Sequence, residues 1–148
     1  MSLRNRLEAA FPKLKTGNWE PHSKSDPSYN CLAFAAGDVT QRWEPDYAKQ
    51  FYWPPEADRE NTVLAAIEAY QTRDFVRCED ASLEEGFEKI AIYATPAGGL
   101  RHATRQLPDG RWVSKLGYAE DIIHNEVDGV ACDCYGQPVC FMKRPRQV

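Results

Sequence analysis

An α+β fold is expected from a change of pattern along the chain. Apolar residues recur at helical spacing only in the first half, and alternation of apolar and polar residues dominates the second. Gly98-Gly99 and Pro108-Asp109-Gly110 punctuate the alternating part as hairpin turns. Helices followed by an antiparallel meander indicate α+β rather than a parallel sheet with crossover helices.

The elements follow in order. Leu3, Leu7, Ala10 and Phe11 fall at helical spacing, and Pro12 stops that helix. Residues 13–28 are polar with turn formers and read as an approach loop. Cys31-Leu32-Ala33-Phe34-Ala35-Ala36 is a short helical run closed by Gly37, and Ser28 and Asn30 both suit its N-cap. Residues 42–58 contain Trp43, Phe51, Tyr52, Trp53 and Pro54-Pro55 and read as an irregular loop. Val63, Leu64, Ile67 and Tyr70 mark one face of a helix over 59–72, capped by Asp58 or Asn61. Strands are expected over 87–95, 98–107 and 111–117, with Ile90 and Ile92 on one face. A helical piece over 119–125 and a closing strand over 137–143 complete the chain.

The 148 residues fit one domain, 1–148, and the 43% apolar share supplies a core without staples. A net charge of −4 with no basic cluster speaks against nucleic-acid and membrane-surface partners. No apolar run reaches the 18 or so residues of a membrane span, and the N-terminus has no signal-peptide pattern. Five cysteines, an odd count without a signal, indicate free thiols and a cytoplasmic location.

Chemistry is expected where Cys31 opens its helix. A thiol reacts as its thiolate, which a helix start and a nearby imidazolium both favour. Of His22, His102 and His124, His102 lies in the middle strand of the meander. A three-residue turn at 108–110 makes Leu107 face Arg111, so Gln106 faces Trp112 and Thr104 faces Ser114. His102, Gln106, Trp112 and Ser114 then share a face, and Ser114 is placed to orient the imidazole. A register slip of one residue would bring Lys115 there instead. Cys132 and Cys134 are spaced too tightly for a usual zinc knuckle, so no metal and no cofactor is expected.

These residues carry a resemblance. "YNCLAFAAGD", "RHATRQLPDGRWVSKLG" and "EDIIH" look like the pattern of a little-studied bacterial family. That family in turn resembles papain-like cysteine amidases and peptidases, in particular the compact cell-wall amidase and endopeptidase branch. The resemblance covers about residues 28–143. It implies a papain-like domain with N-terminal helices packed on an antiparallel β-meander. It implies a cysteine hydrolase or acyltransferase acting on an amide, peptide or thioester bond, with Cys31 as nucleophile and His102 as base. Ser114 or His124 would orient the imidazole, with Asp121 as a further option. Asn30, Tyr29 and Trp112 would serve the oxyanion or the substrate, and the aromatic loop from Trp43 to Trp53 would line a groove. The resemblance departs at the third position, where His, Asn, Gln or Asp is usual and Ser114 or Lys115 stands here. The alternative it leaves open is an inactive papain-like scaffold that binds or regulates a protein partner.

Overall fold

The computed structural model describes residues 2–24, 26–116 and 120–146. Helix α1 (Leu3–Ala10) starts at Ser2, whose hydroxyl accepts the Asn5 N–H, and gives way to a 3-10 turn at Pro12–Lys15. Strand β1 (Trp19–Ser23) precedes helix α2 (Cys31–Ala35), which Asn30 caps. A long loop leads to helix α3 (Val63–Gln71). The remaining elements are strands: β2 (Val76–Cys78), β3 (Phe87–Ala94), β4 (Leu100–Gln106), β5 (Trp112–Lys115), β6 (Asp121–His124) and β7 (Gln137–Pro145).

The seven described strands form one antiparallel sheet in the order β1-β6-β5-β4-β3-β7-β2. The fold is α+β, as the pattern change predicts. The β4–β5 register is also the expected one, with Arg105 facing Val113 and Gln106 facing Trp112. The turn closes through Leu107 N–H to the Arg111 carbonyl at 2.7 Å, and Gly110 takes the left-handed φ of 93° that its bulge requires.

Alternation gives the sheet two buried faces. Ile90, Ile92, Ala103 and Met142 pack with α2, α3 and the loop tryptophans Trp43 and Trp53. Tyr93, Leu116 and Ile122 pack with Leu7, Phe11, Leu14 and Val130 on the other side. No helix among the described residues is long and apolar enough to cross a membrane.

Three expectations are corrected. Residues 121–124 form a strand, not a helix (residue 119 lies outside the described residues). The four residues Asp-Ile-Ile-His are too few to fix a period, and β-branched pairs favour the pleat. Residues 19–23, read as loop, form the edge strand β1, where Pro21 is tolerated because an edge leaves one row of amides unpaired. Helix α3 starts four residues later than its pattern suggests. Thr62 caps it, and Arg59 instead donates to the carbonyls of Glu44, Asp46 and Phe51, tying down the aromatic loop. Leu64, expected on the buried face, is 63% exposed, while the alanines at 65, 66 and 69 are covered.

Candidate active site

Asn30 fixes the head of α2. Its Oδ1 accepts the Ala33 N–H at 3.1 Å and the Trp43 N–H at 3.0 Å, and its Nδ2 donates to the Trp43 carbonyl at 2.7 Å. The side chain expected to help an oxyanion is therefore engaged in joining the helix to the loop. The amides of Cys31, Leu32 and Ala103 lie near enough to the Cys31 sulfur to favour its thiolate.

The β4–β5 ladder ends at Arg105/Val113, and side chains bridge the strands beyond it. Cys31 packs on the sheet face that carries Ala103, with the Ala103 amide close to its sulfur. Burial pushes the Cys31 thiol up to about 11, outweighing the three N–H groups and the Arg42 guanidinium, which favour the thiolate. The expected depression by the helix start is thus present but overridden, and a five-residue helix has only a small dipole.

His102 is fully buried on the face opposite Ala103. Tyr93 meets its ring edge-on at 5.1 Å and Tyr135 stacks on it at 4.4 Å. Burial, with a smaller contribution from His124, pushes the imidazole down to about 3. Its Nε2 lies 3.1 Å from Ser114 Oγ, and its Nδ1 is buried with no hydrogen-bond partner among the described residues.

Proton counting identifies the tautomer. His124 Nδ1 lies 2.7 Å from the Glu126 carbonyl oxygen, which only accepts, so Nδ1 carries the proton. Burial keeps that ring neutral, pushing it down to about 4, so its Nε2 is an acceptor. Ser114 Oγ lies 2.8 Å from this Nε2 and holds one proton. Giving that proton to His102 would leave His124 Nε2 without a good donor. It would also put the His102 proton on Nδ1, where no acceptor lies. Giving it to His124 satisfies both rings. His102 Nε2–H then donates to Ser114, and the one proton of Thr104 Oγ1 goes either to Ser114 Oγ at 2.8 Å or to the Val113 carbonyl at 2.9 Å. His102 Nδ1 is left as a bare lone pair.

The structure therefore brings His102, Ser114 and His124 together and sets Cys31 on the face of the sheet that carries Ala103, with Asn30 bordering the cavity at Cys31. It separates Trp112, Tyr29 and Asp121 from that cavity. Trp112 is buried and borders no opening at Cys31; Tyr29 packs on Phe34 with the Lys115 ammonium 5.0 Å over its ring. Lys115 and Asp121 point to the α2 face, away from Ser114, with 4.0 Å between Nζ and Oδ1. Trp43 and Trp53 are core residues rather than groove walls. A cavity of about 480 Å³ at Cys31 is bordered instead by Arg42, Glu44, Asp46, Arg101 and Tyr135. Thr104 and Tyr135 were not legible as site residues. Thr104 shares strand parity with His102, which was a usable signal; Tyr135 gave none. Among the described residues no three His, Cys, Asp or Glu side chains gather into a metal-holding group.

A family model described as Domain of unknown function (DUF7689) matches residues 20–143. No curated protein and no solved structure matches the chain.

Proposed function

The chain belongs to this family of unknown function, and we propose that it is a papain-like cysteine hydrolase or acyltransferase acting on an amide, peptide or thioester carbonyl. One observation carries the reading: the bare, buried Nδ1 of His102, on whose ring Tyr135 stacks while also bordering the Cys31 cavity. The Cys31 thiol and the His102 imidazole each rest neutral, with no hydrogen bond between them. As the sulfur attacks the carbonyl carbon, its proton passes to Nδ1, and the imidazolium then returns that proton to the leaving group. Ser114 receives the Nε2–H throughout and holds the ring in place. The amides of Cys31 and Leu32 are the oxyanion donors, because Asn30 is engaged elsewhere. Water or a second acceptor then attacks the thioester with His102 again as base.

The neutral resting pair equally favours a second reading, a scaffold that binds a protein partner without turnover. Acylation separates the two. Incubation with p-nitrophenyl acetate is expected to leave an acetyl group on Cys31, seen by mass spectrometry of the peptide. Cys31→Ala abolishes that adduct. His102→Gln slows its formation about a hundredfold, while Cys31 remains open to alkylation at alkaline pH. Equal acylation in wild type and His102→Gln would leave the binding scaffold as the better account.

A further inference from the structure

The geometry points to a second site at the far end of α2, a pocket that binds a phosphate group. A cavity of about 220 Å³ is bordered by Gly37, Thr72 and Asp74 and by three arginines, Arg73, Arg105 and Arg144. These guanidiniums are held from behind. Arg144 is 4% exposed; its Nε donates to Glu88 at 2.5 Å and its Nη1 to the Arg73 carbonyl at 3.0 Å. Its Nη2 points toward Gly37, where an added Cβ would lie 3.1 Å away, and makes no hydrogen bond among the described residues. The φ of 86° at Gly37 and the missing Cβ keep that nitrogen open to the cavity. Arg105 lies over the Phe34 ring at 5.7 Å and Arg73 over the Trp43 ring at 5.1 Å, so both heads are steadied by aromatic faces.

The guanidiniums at the cavity outnumber the buried carboxylates that hold them. Buried Glu88 is shared by Arg144 and Arg105, at 2.5 and 3.6 Å, and by Arg146, which lies outside the cavity, at 3.9 Å. Arg73 is matched by Asp38 at 3.8 Å, and exposed Asp74 sits at the rim. Three guanidiniums against two buried carboxylates leave one positive charge facing the cavity, in a chain whose net charge is −4. Planar guanidinium forks match phosphate oxygens. The cavity stands apart from Cys31, so the site does not depend on the catalytic reading.

Calorimetric titration of the full chain at constant chloride tests this. Inorganic phosphate is expected to bind saturably with one site per chain. Arg105→Gln and, separately, Arg73→Gln are each expected to weaken binding about tenfold, and Arg111→Gln, on the exposed hairpin, to leave it unchanged. Equal binding of phenyl phosphate would assign the site to phosphate monoesters, and binding of inorganic phosphate alone to the free ion. Absence of saturable heat, equal binding of acetate, or indifference to both pocket variants would overturn the proposal. Two variants are used because either alone could fail to fold, and thermal unfolding of each checks that it has not.

Discussion

Ser114 Oγ stands between two buried imidazoles, 3.1 Å from His102 Nε2 and 2.8 Å from His124 Nε2. One hydroxyl proton serves both rings because His124 is already committed as an acceptor by its bond to the Glu126 carbonyl. The direction of this chain leaves the lone pair of His102 on the nitrogen that is not tied to the strand.

Removing that hydroxyl is expected to cost stability and rate together. Ser114→Ala orphans a buried N–H on His102 and a buried acceptor on His124, worth about 2–3 kcal/mol in urea unfolding. The Cys31 acylation rate should fall with it, since the ring loses its support. A variant of unchanged stability would show that water replaces the hydroxyl at no cost.

The thiol is expected to be slow to alkylate near neutrality. Burial pushes it up to about 11, so the thiolate fraction rises about tenfold per pH unit below that value. Iodoacetamide labelling, read peptide by peptide because Cys134 is exposed, should show Cys31 lagging at pH 7 and reacting by pH 10. Rapid labelling at pH 6 would instead reveal a thiolate already paired with an imidazolium.

Acid is expected to destabilise the fold through the histidines. The unfolded chain protonates both rings near 6.5, and burial holds the folded rings at about 3 for His102 and about 4 for His124. Between these values the unfolded state binds more protons. Stability is therefore full above pH 6.5 and falls as the pH drops, by on the order of 3 kcal/mol per ring by pH 4. Urea midpoints measured from pH 7 to 5 should fall, with a shallower slope in His124→Asn. Identical slopes in the two proteins would remove His124 from this account.

Lys115 and Asp121 offer a test of a buried ion pair. Their facing atoms, Nζ and Oδ1, lie 4.0 Å apart and neither has a hydrogen-bond partner among the described residues, although Asp121 Oδ2 accepts from Ser23. Asp121→Leu strands the ammonium and is expected to cost about 3–5 kcal/mol, whereas Lys115→Met with Asp121→Leu should recover most of that loss. Unfolding of the two variants decides it: additive losses would mean the pair is not coupled.

Much of this was legible in the primary structure because it rests on local rules. Turn chemistry at Pro108-Asp109-Gly110 set the β4–β5 register, and the register put His102 and Ser114 on one face without any knowledge of the rest of the sheet. Capping chemistry likewise placed Asn30 at the head of α2. Short segments were not legible. Trp19–Ser23 is a strand because it pairs with Asp121–His124, about a hundred residues on in the chain, and Asp121–His124 is held between it and β5.

The sequence by itself determined an α+β chain, its hairpin register and the placing of Ser114 beside His102, since alternation and turn geometry act over a few residues. The tertiary structure alone decided the protonation of the site. Burial between two packed faces sets the thiol and the imidazoles far from their ordinary values, and no local pattern records how much water a fold excludes. It also decided that His124 joins His102 while Asp121 turns away, because that depended on residues 121–124 being pleated rather than coiled.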